Sequence, residues 1–262
     1  MHFRLYFILF LFWSWIELFS QEQMIVNGAI EIGDTYSKPL PEGTIRWDGN
    51  EFLALTGSHW ASLSGEKFIR DRENNKYRIV RIGNQVWMKD NLRTTHYNNG
   101  NTIPLVTDAS EWSSLTSPGY TWYDNGGSDF GALYNYYVVS DTNSNNVCPL
   151  AWHVPTSDDW NTLINYLGGS SAAGGLLKES GLTHWAPPNT AGTNDSGFAG
   201  TPGGYRNALG AFFLKNQFGF WWSNEATTSD NARFYSLLYN DALVNINEIN
   251  KMYGMSVRCV KD

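Results

Sequence analysis

Cys148-Pro149-Leu150-Ala151-Trp152-His153-Val154-Pro155-Thr156-Ser157-Asp158-Asp159-Trp160, running on to Gly168-Gly169, encodes a strand that enters a helix. Thr156 is a good N-cap, and Asp159, three residues later, can answer it and face the positive end of the helix. Pro155 and Trp160 are spaced for a hydrophobic staple across that start. Trp160, Leu163, Ile164 and Leu167 recur at i, i+3, i+4 and i+7 and form one apolar stripe. Gly168-Gly169 then supplies a left-handed stop, so the pattern predicts a helix over about 157 to 167. Its apolar face needs cover, and the aromatic-rich segments Tyr134 to Val139 and Phe212 to Trp222 are the candidates.

Working outward, Tyr77 to Ile82 and Gln85 to Met88 flank Gly83-Asn84, a two-residue turn that needs a positive φ at Gly83 and specifies a hairpin. Ser171 to Glu179 predicts a second helix, weakened by Gly174 and Gly175 and ended by Gly181. Strands are expected over Ala211 to Leu214, Gly219 to Ser223, Ala232 to Tyr239, Ala242 to Ile246 and Met255 to Val260. Trp221 and Trp222 point to opposite faces of their strand, which suggests one core ring and one ring free to stack on a ligand.

Several of these residues also carry a resemblance. Cys148-Pro149, Trp152-His153-Val154-Pro155-Thr156, Gly203-Gly204-Tyr205-Arg206, Trp221-Trp222-Ser223 and Ser256-Val257-Arg258-Cys259-Val260 resemble the Fibrobacter succinogenes major paralogous domain. Val80-Arg81-Ile82-Gly83-Asn84-Gln85-Val86-Trp87-Met88 and Asn91-Leu92-Arg93-Thr94-Thr95 match its opening, so the resemblance runs over about residues 67 to 262. It implies an α+β, C-type-lectin-like fold: two helices packed on short antiparallel sheets, with long irregular loops. It is more distantly similar to the domain of formylglycine-generating enzymes. Those enzymes use a C-terminal cysteine pair, whereas here only Cys259 stands in that part of the chain, so their oxidase chemistry is not expected. In sugar-binding lectins of this fold, a proline flanked by acid or amide ligands and a Trp-Asn-Asp triplet hold calcium. The nearest counterparts are Pro188-Asn189 and Asn194-Asp195. One carboxylate and two amides are thin coordination for an ion that takes six to eight oxygens. Asn189, Asn194 and Asp195 are therefore weak metal candidates, and no other cofactor is expected.

Composition bounds the function classes. The chain has 262 residues, 42% hydrophobic and 15% aromatic, with 25 glycines and only 16% charged residues, a balance that favours short strands and tight turns over long helices. A net charge of −7 argues against nucleic acid as a partner. Residues 1–20 read as a secretory signal: His2 and Arg4, an apolar run from Leu5 to Trp13, and Ser20 before Gln21. An uncleaved anchor is the alternative, although the uninterrupted run is well short of the ~20 residues needed to span a bilayer. Export to the exterior or the cell envelope permits disulfides. Cys148 and Cys259, the only two cysteines, are expected to pair. Closing their 111-residue loop (259 minus 148) adds roughly 4 to 5 kcal/mol on the chain-entropy model. The alternative, a redox or metal pair, lacks a CxxC spacing and a nearby histidine cluster.

Residues 21–66 read as a separate small β module, with strand and turn alternating through Thr44 to Trp47, Asp48-Gly49, Phe52 to Leu55, Thr56-Gly57-Ser58 and Trp60 to Leu63. About forty residues bury too little to stand alone, so a spacer or a homo-oligomerisation element is expected. Asp71, Glu73 and Asn75 alternate like calcium-loop ligands, but Lys76 stands where such a loop needs Gly, and the segment reads as a polar turn. Asp141, Asn143 and Asn145 fail in the same way. The Asp124-Asn125-Gly126-Gly127-Ser128-Asp129 tip is a candidate binding surface or simply a flexible turn.

No Gly-x-Ser-x-Gly elbow, Walker loop, HExxH or dinucleotide fingerprint occurs. The histidines are scattered, and His153 reads as a packing or hydrogen-bonding residue. Carboxylate pairs such as Asp158 with Asp159, or Glu179 with Asp195, leave a hydrolase open as a minor alternative. The reading that follows is a secreted, non-catalytic binding or adhesion domain for extracellular glycan. Asn189, Asn194, Asp195, Tyr205, Arg206 and Trp222 are its expected ligand contacts. The alternative is an envelope assembly component that binds a surface protein.

Overall fold

A computed structural model describes residues 45–47, 52–56, 59–62, 67–127 and 129–262. The signal expected over residues 1–20 lies outside them. The chain divides into two units at the Ser64/Gly65 boundary. In the first, β1 (Ile45–Trp47), β2 (Phe52–Thr56) and β3 (His59–Ser62) form an antiparallel meander in the order β1-β2-β3. Trp47 pairs with Phe52 and Thr56 with His59; the expected Asp48-Gly49 and Gly57-Ser58 turns lie outside the described residues.

The second unit is mixed α+β and mostly antiparallel. β4 (Phe68–Arg70), β5 (Lys76–Ile82) and β6 (Gln85–Met88) open it. Ile82 pairs with Gln85 across the predicted turn, and Gly83 takes φ 59°. The Asp71–Asn75 segment is indeed a polar turn. Asp71 accepts from the Asn75 backbone and side-chain amides at 2.9 and 2.8 Å and from the Tyr77 hydroxyl at 2.7 Å. The long connection after β6 is packed on itself and contains two one-turn helices absent from the sequence reading: α1 (Ala109–Ser113) and α2 (Tyr136–Val139). Both follow a residue in extended conformation, and Asp108 caps α1 from its side chain. Between them β7 (Tyr120–Thr121) pairs with β8 (Leu133–Tyr134).

β9 (Trp152–His153) leads into α3 (Ser157–Tyr166), which carries the expected capping box: Asp159 N–H donates to the Thr156 hydroxyl, and the Asp159 carboxylate accepts from Thr156 N–H. Gly168 and Gly169 at φ 92° and 91° stop it, and Gly169 N–H closes on the Ile164 carbonyl. α4 (Ser170–Leu177) follows. Its glycines have a packing role beyond their cost in propensity. A β-carbon on Gly174 would collide with the Ala242 and Leu243 carbonyls, and one on Gly175 with the Ala191 carbonyl. That close approach explains one correction. Residues 242–244 are not the start of a strand, because Gly175 N–H is given to the Ala242 carbonyl and Val244 N–H to that of Ser170.

β10 (Tyr205–Arg206) and β11 (Phe212–Phe213) form a ribbon. β12 (Phe218–Ala226), β13 (Asn231–Leu238) and β14 (Asn245–Asn250) form a three-stranded sheet. The expected final strand is mostly isolated bridges, with Val260–Lys261 as β15. β15 inserts between β6 and β9, with Val260 opposite both Trp87 and His153, in a five-stranded order β4-β5-β6-β15-β9. The Cys148–Cys259 disulfide, with α-carbons 5.9 Å apart, fastens the segment before α3 to this strand.

The β12–β14 sheet lies between two cores. Trp221, Tyr235 and Leu237 face the core of α3 and α4, where Trp160 stacks on Tyr235 at 4.5 Å and 14°. Phe220, Trp222, Phe234 and Ala232 face the core that holds Tyr134, Tyr136 and the disulfide. Both neighbouring tryptophans are therefore buried, 1% and 0% exposed, and the expectation of one free ring is corrected. Alternation put them on opposite faces, but both faces are covered.

Candidate functional site

The second unit carries a cleft of about 350 Å³. Its walls come from four loops: Lys89–Arg93 after β6, Asp129–Gly131, Glu179–His184 after α4, and Asn194–Thr201. None of these loops continues a strand or helix, so their backbone groups need other partners; buried Asn91 and Arg258 supply some of them, and buried Lys178 braces neighbouring segments. Asn91 donates from Nδ2 to the Phe130 carbonyl at 2.7 Å, and its Oδ1 accepts from Trp221 Nε1 at 2.9 Å and Arg258 Nε at 2.8 Å. Arg258, 1% exposed, also donates to the Phe198 and Ala199 carbonyls and lies 4.3 Å over the Phe198 ring. Burial lowers its pKa, and Asp90 opposes that pull. Lys178, fully buried, gives its three ammonium donors to the Thr190, Leu238 and Asp241 carbonyls at 2.7, 2.9 and 2.7 Å. Sequence reasoning missed all three. The signal available for Arg258 was a cation flanked by Val257 and Cys259 in the last strand.

On the cleft surface, Arg78 grips Asp90 through Nε and Nη2 at 3.0 and 2.5 Å, and its own N–H donates to the same carboxylate at 2.7 Å. Burial would raise the Asp90 pKa, but these bonds carry it below its ordinary value. Opposite, the Glu179 carboxylate meets His184 Nδ1 at 2.7 Å, and the imidazole lies edge-on to Phe130 at 5.3 Å. Asp129, from the glycine-rich tip, is exposed at the rim. The cleft is thus lined by cations, carboxylates, Ser180, Thr201, the two asparagines Asn91 and Asn194, and one phenylalanine, Phe130. Much of this set is held in place by protein hydrogen bonds.

The six expected ligand contacts do not converge. Asn194 lines the cleft, with its Oδ1 accepting from Ala199 N–H at 2.8 Å. Asn189 is buried one layer behind and braces the wall, donating from Nδ2 to the Glu179 and Gly181 carbonyls at 2.9 and 2.8 Å. Asp195 is exposed and does not line the cleft. Tyr205 is half-buried on another face. Arg206 is fully buried between Trp112 and Phe212, donating to the Val106, Thr107 and Gly210 carbonyls at 2.6, 2.9 and 2.9 Å. Trp222 is fully buried, with Nε1 on the Tyr134 carbonyl at 2.9 Å. These last two stabilise the fold and are out of reach of a ligand, which corrects their expected role. Gly204, beside Arg206, permits close packing, since a β-carbon there would collide with the Phe213 carbonyl.

Among the described residues there is no group of three or more His, Cys, Asp or Glu side chains placed to hold a metal. Glu179 pairs with His184, whereas Asp159 answers Thr156 and His153. No described helix is long and apolar enough to cross a membrane. Neither a curated protein nor a solved structure matches the chain. The family model described as Fibrobacter succinogenes major domain matches residues 80–261, from within β5 to the end of β15. Spanning well over half the sequence, that match shows that the chain belongs to the Fibrobacter succinogenes major domain family.

Proposed function

We propose that this chain is an exported, non-catalytic recognition domain with a C-type-lectin-like core, and that it binds glycan in the polar cleft. The observation that carries the reading is the composition of that cleft. Charged side chains, Ser180, Thr201 and two asparagines line it beside one phenylalanine, in a space of about 350 Å³, at the small end of the range for ligand sites. A neutral polyhydroxylated ligand can both give and accept hydrogen bonds in such a site, whereas a lipid or aliphatic ligand would strip water from charged groups without repaying them. The rigid, pre-bonded walls reduce the ordering cost of binding. The long loops that form the cleft, the helix start and the terminal strand support the fold-level analogy, and the disulfide fits an oxidising compartment.

A glycan array probed with the purified chain, with and without calcium, tests this. Binding is expected for a defined sugar class, and Asp129→Ala or His184→Ala should weaken it at least tenfold without lowering the melting temperature by more than a few degrees. An array that stays blank in both conditions overturns the proposal.

A further inference from the structure

β14 (Asn245–Asn250) is the outer strand in the order β12-β13-β14, and its register with β13 runs unbroken from Asn245 opposite Ser236 to Asn250 opposite Asn231. Bonding on the far side of the sheet fixes which of its backbone groups point outward. Trp222 N–H donates to the Ser256 carbonyl and Ser256 N–H to the Phe220 carbonyl, so Phe220 and Trp222 turn their backbone groups away from β13. In an antiparallel pair, opposed residues exchange both bonds or neither. Ser236 and Phe234, opposite those two, therefore bond to Asn245 and Asn247 of β14. Lys251 N–H donates to the Asp230 carbonyl in the same register, which gives the same alternation. The N–H and C=O groups of Ile246 and Glu248 are left pointing out of the sheet.

The ends of this edge are closed and its middle is open. Val244 N–H is given to the Ser170 carbonyl at the start of α4, and the Asn250 carbonyl accepts from Tyr253 N–H. Between them Ile246, Asn247 and Glu248 are exposed, Ile246 to 45%. The outward backbone groups of Ile246 and Glu248 have no partner among the described residues. Natural edge strands are commonly guarded by lysine, proline or a bulge, and β14 carries none of these. Its alternating donors and acceptors match another extended strand.

A second copy of the chain brings the same edge, and the two-fold axis of such a pair can stand at Ile246, Asn247 or Glu248. At Glu248 it would set two carboxylates face to face. At Ile246 it would need the Val244 N–H, which Ser170 already holds. At Asn247 it pairs Ile246 of each copy with Glu248 of the other and uses every open backbone group of both edges. The two Asn247 amides then lie opposite each other, where each can donate to and accept from its twin. We propose that β14 is a homodimer interface, in which two copies pair antiparallel about Asn247 and join their sheets edge to edge. This is independent of what the cleft binds.

An edge pair alone is far smaller than a standard interface of roughly 1,600 Å², so the dimer should depend on concentration. Sedimentation equilibrium of the whole chain from micromolar to millimolar concentration should show the mass rising towards that of two chains. Asn247→Lys, at an exposed position, opposes two ammonium groups at the axis and should keep the mass at one chain. Cysteine substitution reads the register, because Cys148 and Cys259 are bonded to each other and leave any introduced thiol as the free one. Asn247→Cys brings two α-carbons to roughly 4.5 Å, within disulfide reach, whereas Glu248→Cys leaves them roughly 9 Å apart. Under mild oxidation Asn247→Cys should form a covalent dimer at least tenfold faster than Glu248→Cys or Leu150→Cys, the latter at an exposed site on another part of the chain. A chain that stays monomeric throughout, a dimer that survives Asn247→Lys, or equal coupling of the cysteine variants overturns the interface.

Discussion

His153 shows how much one side chain depends on what folding brings to it. Its Nε2 meets Asp159 at 3.1 Å and its Nδ1 meets Asp262 at 2.6 Å, so the ring ties the helix cap to the last residue of the chain. The hydrogen bond to Asp159 raises its pKa above the ordinary 6.5, burial works against this, and Asp262 adds to the rise. For Asp159, burial would raise the pKa, but hydrogen bonds from His153 and Thr156 bring it from 3.8 to about 2. Gln85 Nε2 is the other side chain on that carboxylate. The signs differ. The histidine contribution is complete below pH 6.5 and fades as pH rises through its folded value, whereas the aspartate contribution is complete above 3.8 and fades as pH falls towards 2. Stability from this clamp should therefore peak between about pH 4 and 6.5. Thermal unfolding from pH 3 to 8 is expected to show that maximum. His153→Gln should flatten the alkaline side; an unchanged profile in that variant would remove the clamp from the account.

Among the elements, the signature helix was legible because its start and stop are written in local chemistry. Thr156→Ala should cost about 1 kcal/mol, the usual value of an N-cap. The next helix makes the opposite point. Helix propensity alone says that Gly174→Ala gains about 1 kcal/mol. The carbonyls of Ala242 and Leu243 occupy the place of the new methyl, so the substitution should instead destabilise by roughly 2 kcal/mol through overpacking. Urea unfolding of the two variants compares them directly, and a stabilised Gly174→Ala protein would refute the close-packing explanation. The same contact explains why residues 242–244, strand-like in composition, are not a strand: their backbone groups are spent on α4. The hairpin at Gly83-Asn84 was readable for the reason the helix was, a two-residue turn with a required φ. Strand limits elsewhere shifted by one to five residues, since an edge is set by what the neighbouring strand offers.

For the whole molecule, the disulfide is the principal long-range tie. Replacing both cysteines by alanine should lower stability by roughly 4 to 5 kcal/mol at most on the chain-entropy model, read as a shift in the urea midpoint at constant slope. A loss below about 1 kcal/mol would mean that the buried cores alone hold the C-terminal strand in place. Composition, the caps, the glycine turns and the count of two cysteines established by themselves an α+β chain, a helix after Pro155, a hairpin before Met88 and the pairing of Cys148 with Cys259. Each of these depends on neighbours a few residues away or on there being one possible partner. The site was different. Arg206 and Trp222 were expected at a ligand and proved to be buried supports, whereas Asn91, Lys178 and Arg258 gave no local sign of bracing loops brought in from distant parts of the chain. Which side of a residue faces water is settled by the second layer packed over it, and in this protein the β12–β13 pair has such a layer on both sides. Only the tertiary structure could decide that, because burial is a property of surfaces that meet across more than a hundred residues of sequence.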